Sequence, residues 1–96
     1  MNNIEKIILQ HKKIFHFFNE VYLFGSAIND SRYFNDIDLL LIYTKYSHRI
    51  MIEKKILSKY LEKLFKINID ITILSKEELN QTKFLDRLNS SYRKIK

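Results

Sequence analysis

Apolar side chains in the first part of the chain follow a helical period and then a short continuous run. In residues 4–18 they recur at the three-to-four-residue interval of a helix that buries one stripe. Residues 21–24 form an apolar run rich in strand-favouring side chains, which ends at Gly25, the only glycine in the sequence. The pattern predicts a first helix, followed by a buried strand that stops at a sharp turn.

The middle of the chain predicts two further strands separated by a long helix. Residues 27–35 are polar and turn-prone, and the apolar run of residues 36–43 indicates the second strand. Ser47 is suited to cap a helix that reaches Phe65, and residues 67–74 then form the third strand. We expect lysines and Glu53 on the outer face of this helix. Its predicted inner face comprises Ile50, Leu57, Tyr60, Leu61 and Leu64.

The C-terminal part favours a last helix. Ser75 and Glu78 have the spacing of a capping box. The segment 89–91, Asn-Ser-Ser, is a point at which the helix can fray or break. The apolar positions that define one face of this helix are Leu85, Leu88, Tyr92 and Ile95.

Together these elements predict an α/β (α+β) architecture, a small sheet flanked by helices, without fixing strand directions. No proline-rich, glycine-rich or serine-rich break interrupts the 96 residues, so we expect a single domain over residues 1–96. So small a domain buries a limited share of its surface and is marginally stable. A stabilising partner subunit, including a second copy in a homo-oligomer, therefore stays open.

Composition limits the possible metal ligands and the possible classes of partner. Cysteine is absent, so oxygen or imidazole must hold any metal, and His11, His16 and His48 lack metal-ligand spacing with one another. No signal-peptide layout and no membrane-length apolar run is present, so the expectation is a cytoplasmic protein without a membrane partner. The net charge of +6 favours a nucleotide, a nucleic acid or an acidic protein as partner, or serves solubility alone.

Three aspartates carry the candidate chemistry. Residues two apart in a strand point to the same face, so Asp36 and Asp38 stand side by side. Asp70 lies between two isoleucines of the third strand, where we expect burial and nearby negative charge to raise its pKa. If the second and third strands are neighbours, the three carboxylates form an oxygen-rich site for one or two Mg²⁺ ions.

Residues around the first turn are candidates for binding phosphate. Gly25 lets the backbone approach a phosphate closely, and Ser26 can offer its hydroxyl and nearby N–H groups at the start of a short helix. A simple helix-capping role is the alternative for Ser26. Arg32, in the polar loop that follows, can reach a phosphate through its guanidinium group.

These motifs resemble a known family. Leu23-Phe24-Gly25-Ser26 followed by Asp36-Ile37-Asp38-Leu39-Leu40-Leu41 resembles the Gly-Ser…Asp-x-Asp signature of the DNA polymerase β-like nucleotidyltransferases. Ile69-Asp70-Ile71 is similar to the third carboxylate strand of that family. The resemblance implies a mixed sheet, Mg²⁺ as cofactor, ATP or another nucleoside triphosphate as substrate, and all three aspartates as catalytic metal ligands. It also implies Asp70 as the base.

By size the chain is similar to the minimal nucleotidyltransferases (MNT), which often pair with a HEPN-domain protein. Some of these act as antitoxins that adenylylate the HEPN toxin, so the resemblance implies AMP transfer from ATP to such a partner. Members commonly carry arginines and a second glycine directly after Gly-Ser, where this chain has Ala27-Ile28-Asn29-Asp30. Two alternatives remain, namely a catalytically degenerate relative that binds nucleotide or partner, and a basic nucleic-acid-binding module.

Overall fold

A computed structural model describes residues 3–28 and 36–96 of the protein. Among these residues, no helix combines the length and the apolar character needed to cross a bilayer. In chain order the elements are helix α1 (Asn3–Gln10), a 3₁₀ turn (Lys12–Phe15), strand β1 (Glu20–Phe24), a second 3₁₀ turn (Gly25–Ile28), β2 (Asp36–Tyr43), α2 (Arg49–Phe65), β3 (Asn68–Ser75), α3 (Lys76–Thr82), α4 (Phe84–Arg87) and β4 (Tyr92–Lys94).

The four strands form one mixed sheet in the order β3-β2-β1-β4. Strand β2 runs parallel to β3, and β1 runs antiparallel to both β2 and β4. Parallel neighbours need a long crossover connection, and α2 occupies the crossover between β2 and β3. The predicted small mixed sheet flanked by helices is therefore confirmed, with β2 in the interior of the sheet and β3 at one edge.

Each face of the sheet has its own apolar cluster, because alternate side chains of β2 point in opposite directions. Ile37, Leu39 and Leu41 belong to the larger cluster, which includes buried side chains of α1 and α2. Leu40 and Ile42 belong to the smaller one, which includes Tyr22, Leu79 and the partly buried side chains of α4. Helices α1 and α2 thus cover one face, and α3 and α4 cover part of the other.

Both predicted helix starts are capped by serine. The Ser47 hydroxyl accepts a hydrogen bond from the backbone N–H of Arg49 at 3.2 Å, which satisfies a free donor at the start of α2. At α3, the N–H of Glu78 donates to Ser75 Oγ at 3.0 Å, and the N–H of Ser75 donates to Glu78 Oε1 at 2.9 Å. The capping box predicted from the sequence is therefore present.

The predicted inner face of α2 is wrong at three positions. Glu53, expected on the outside, is only 6% exposed, and its carboxylate accepts a hydrogen bond from Arg49 at 3.1 Å. Tyr60 and Leu64, expected inside, are 42% and 39% exposed. Glu53 lies three residues after Ile50 and four before Leu57, so the helical period places it on the same face as these two buried side chains.

The two terminal helices are shorter than the apolar spacing predicts. The first ends at Gln10 and gives way to the 3₁₀ turn rather than continuing to Phe18. At the other end, Asn89 and Ser90 have φ values of 49° and 67°, which end the helical path. Residues 92–94 pair with β1 instead, because the free edge of that strand offers the backbone hydrogen bonds that the broken helix lacks.

Candidate metal centre

The parallel pairing of β2 with β3 brings the three aspartates together. Asp38 lies directly opposite Asp70 in the register, and Asp36 precedes Asp38 by two residues on the same face of β2. Each of the three side chains offers a carboxylate oxygen within 4.8 Å of the other two. The juxtaposition expected from the sequence, which required these two strands to be neighbours, is therefore present.

The aspartates occupy the open end of one sheet face. Leu40 and Ile42 continue the same face of β2 and are fully buried, whereas Asp36 and Asp38 are half-buried and Asp70 is exposed. The carboxylates thus stand on two paired strands, of which β2 is well packed, and they are accessible from outside. A ligand can approach them without any displacement of the core.

Asp38 is the electrostatically perturbed member of the group. Its pKa is raised to about 6, first by burial, then by the negative charges of Asp36 and Asp70, and finally by a side-chain hydrogen bond with Asp70. The sequence analysis did not anticipate a raised pKa at Asp38. Asp70 is on the edge strand β3 and faces solvent, whereas Asp38 is on the interior strand β2 between two neighbours.

The donor set fits a hard divalent cation. Within residues 3–28 and 36–96, no lysine or arginine forms an ion pair with any of the three carboxylates. Clustered carboxylates without a cation repel one another, and oxygen atoms are the ligands that Mg²⁺ prefers. Asp36, Asp38 and Asp70 are therefore the residues that could hold a metal.

Two features of the structure favour glycine at position 25. Its φ of 78° lies in the left-handed region that disfavours other residues. In addition, a Cβ at this position would lie 3.1 Å from Cγ of Asp38 and would overlap its Oδ2 atom. The backbone after β1 therefore packs directly against the carboxylate group, a contact that sequence analysis did not reveal.

The turn after Gly25 presents Ser26 at the surface. Residues 25–28 form the short helix expected there, as a 3₁₀ turn. Ser26 is exposed, whereas Ala27 and Ile28 are buried and anchor the turn in the larger apolar cluster. The serine is thus free to meet a ligand next to a glycine that touches Asp38.

Other predicted positions lie elsewhere. Arg32, proposed as a phosphate contact, is outside the residues that the structure describes. His11 is engaged through Nδ1 with the Ile7 carbonyl at 2.8 Å, His16 is exposed on a turn, and His48 precedes α2. None of these histidines belongs to the carboxylate group.

Two aromatic rings lie beside the carboxylates, and the sequence did not predict them. Phe24 of β1 is the cross-strand partner of Asp38, and its ring packs edge-on against Phe84 with centroids 5.5 Å apart. The guanidinium group of Arg87 lies 5.7 Å from the centre of the Phe84 ring. The sequence offers no local signal for this grouping, because residues 24 and 84 meet only through the packing of α4 on the sheet.

Comparison with known proteins adds one finding. A family model described as Polymerase beta, Nucleotidyltransferase matches residues 2–91. The match spans nearly the whole chain, including Gly25, Ser26 and the three aspartates. No curated protein and no solved structure matches.

Proposed function

The chain belongs to the polymerase β nucleotidyltransferase family, and from this premise we propose that it is a Mg²⁺-dependent enzyme that transfers AMP from ATP to a partner HEPN-domain protein. One observation carries the chemical part of the proposal. Three carboxylates with oxygens within 4.8 Å of one another stand beside the Gly25-Ser26 turn. A triphosphate held by that turn would meet the carboxylates at its reacting phosphate.

In this proposal Asp36, Asp38 and Asp70 hold one or two Mg²⁺ ions. Bound Mg²⁺ would neutralise the triphosphate and stabilise the attacking and leaving oxygens of an in-line displacement. The acceptor hydroxyl oxygen forms a bond to the α-phosphorus, and the bond to the bridging oxygen of pyrophosphate breaks. Asp70 accepts the hydroxyl proton, since it is the exposed member of the group and the easiest for an acceptor to reach.

The turn and the loop after β1 would bind the leaving phosphates. Gly25 lets the backbone come close, and the exposed Ser26 hydroxyl and nearby N–H groups donate hydrogen bonds to phosphate oxygens. We propose Arg32 as an additional contact. If Arg32→Ala leaves the KM for ATP unchanged, this contact is removed from the mechanism.

The HEPN-domain acceptor rests on the resemblance to minimal nucleotidyltransferases in size and motif. The test combines the purified chain, Mg²⁺, ATP labelled at the α-phosphate and the HEPN protein encoded by a neighbouring reading frame. Label on the HEPN protein that disappears with Asp36→Asn supports the proposal. Asp86→Asn, the same change at an exposed aspartate of α4, is the matched control and should retain transfer.

A second candidate, nucleotide binding without turnover, is favoured by one observation. Ala27 and Ile28 are 0% and 9% exposed, so the two positions after Gly25-Ser26 face the core and not a phosphate. Calorimetry with ATP and Mg²⁺ that shows binding, together with an absence of label transfer, would select this candidate. Salt-dependent RNA or DNA binding that survives Asp36→Asn would instead indicate a nucleic-acid-binding module.

A further inference from the structure

Helix α2 carries a row of large apolar side chains that stay largely exposed in the described part of the chain. Ile52, Ile56, Tyr60 and Leu64 follow one another at intervals of four residues, and they are 54%, 54%, 42% and 39% exposed. Side chains four apart are neighbours on a helix surface, so the four form a continuous ridge, here called the α2 ridge. A ridge of this kind on a soluble domain marks an interaction surface rather than scattered surface apolar residues.

A row of lysines runs beside the α2 ridge. Lys55, Lys59 and Lys63 are exposed, also four residues apart, and each follows a ridge residue by three positions. None of them forms an ion pair within residues 3–28 and 36–96. The helix carries five basic and two acidic side chains, and one of the acids, Glu53, is already paired with Arg49.

The α2 ridge lies on the layer opposite the carboxylates. Leu57 and Leu61 on the inner side of α2 belong to the same cluster as Ile37 and Leu39. The aspartates point to the other face of the sheet, where α3 and α4 pack. An occupant of the α2 ridge therefore leaves the Asp36, Asp38 and Asp70 group open.

We propose that the α2 ridge docks an amphipathic helix of a partner protein, one that sets an apolar row against the ridge and a row of Asp or Glu against the three lysines. Ridge-and-groove packing matches one helix to another, and opposite charges on the lysine side of the contact fix the register. Charge complementarity selects an acidic occupant. This inference is independent of whether the protein transfers a nucleotide.

Other occupants fit the same surface less well. A second copy would bring another net charge of +6 and another lysine-rich helix to the contact. A lipid surface favours a helix with a broad apolar face. On α2 the broad inner face is already used by the core, and exposed lysines flank the ridge.

The test uses two labelled amphipathic peptides of equal helicity, both with an apolar row of leucines. One has glutamates along the flanking positions and the other has lysines there. Fluorescence anisotropy should show saturable binding of the glutamate peptide only. Ile56→Asp should weaken this binding at least about tenfold. Tyr46→Asp is the matched control, because Tyr46 is 68% exposed and lies before α2, outside both the α2 ridge and the lysine row, and it should change the affinity by less than about twofold.

Charge reversal tests the lysine row separately. The triple variant Lys55→Glu, Lys59→Glu and Lys63→Glu should lose the glutamate peptide and gain the lysine peptide. Circular dichroism checks that each variant is folded, which exposed substitutions should allow. The proposal is overturned if the glutamate peptide fails to bind wild-type protein, or binds Ile56→Asp equally well. It is overturned too if Ile56 mediates self-association in sedimentation, or if anionic vesicles and not the peptide bind in an Ile56-dependent way.

Discussion

Asp38→Asn should stabilise the metal-free protein. Asn has nearly the shape of Asp but no charge, so the variant removes the repulsion that Asp38 experiences from Asp36 and Asp70. It also removes the unfavourable burial of a charge at a half-buried position. A catalytic or metal-binding carboxylate is thus expected to reduce the free energy of unfolding until a cation binds.

The size of the stabilisation expected for Asp38→Asn follows from the pKa shift of Asp38. A shift from 3.8 to about 6 corresponds to about 3 kcal/mol if none of it is screened. Asp38 is only half-buried, so solvent screening reduces the expected gain to about 1 kcal/mol at neutral pH. For a domain of this size, such a gain raises the Tm by about 5 °C.

The raised pKa of Asp38 also determines how the stability of the protein changes with pH. Because the folded-state pKa lies above the unfolded value, the folded protein binds more protons between pH 3.8 and about 6. The contribution of Asp38 to stability is therefore fully present below this window and is lost as the pH rises through it. The advantage of Asp38→Asn over wild type should grow across the same window and then level off.

Chemical denaturation in EDTA, and again with Mg²⁺, measures both effects. In EDTA at neutral pH the variant should be the more stable protein. Added Mg²⁺ should raise the stability of wild type by binding the folded state, and it should raise that of the variant much less. Asp86→Asn controls for the change in net charge. A variant that is less stable than wild type in EDTA, or that gains equally from Mg²⁺, would refute the reasoning.

Three other substitutions test separate parts of the structure. Asp70→Asn should keep part of the Mg²⁺ affinity, because Asp36 and Asp38 remain, yet its transfer rate should fall by several orders of magnitude. Single-turnover kinetics measures this rate. A rate within a few-fold of wild type would show that Asp70 has a structural role. Gly25→Ala should lower the free energy of unfolding by roughly 1–3 kcal/mol and weaken Mg²⁺ binding, since its Cβ would displace Asp38. Calorimetry that finds unchanged Mg²⁺ affinity would contradict this. Ser75→Ala should cost about 1 kcal/mol in urea unfolding through loss of the α3 cap, with transfer activity retained.

Local sequence patterns were sufficient for most of the framework. The period-two alternation of β2 predicts that Asp36 and Asp38 share a face, and the bounds Asp36–Tyr43 agree with the structure. The serine caps of α2 and α3 were also predictable, since a cap depends on residues within one turn of it. Strand alternation and helix capping depend only on residues close together in the chain, so they can be predicted without the fold.

Some apolar patterns fit more than one secondary structure, and the predictions based on them were wrong. Tyr92 and Ile95 fit the apolar face of a helix, but the chain turns at Asn89 and Ser90 and adds a strand to β1. Likewise, side-chain polarity suggested that Glu53 lies outside and Tyr60 inside, whereas Glu53 is 6% and Tyr60 42% exposed. Burial of a given position depends on which neighbours pack there, and the sequence pattern does not contain them.

The sequence by itself determined that three aspartates enter or occupy strands and that one glycine ends the strand before them. Tertiary structure decided that β2 lies inside the sheet and β3 at its edge, which gives the raised pKa to Asp38 and leaves Asp70 exposed. It also placed Gly25 against the Asp38 carboxylate. Desolvation and charge repulsion depend on distances between residues far apart in the chain, and only the packed sheet sets those distances.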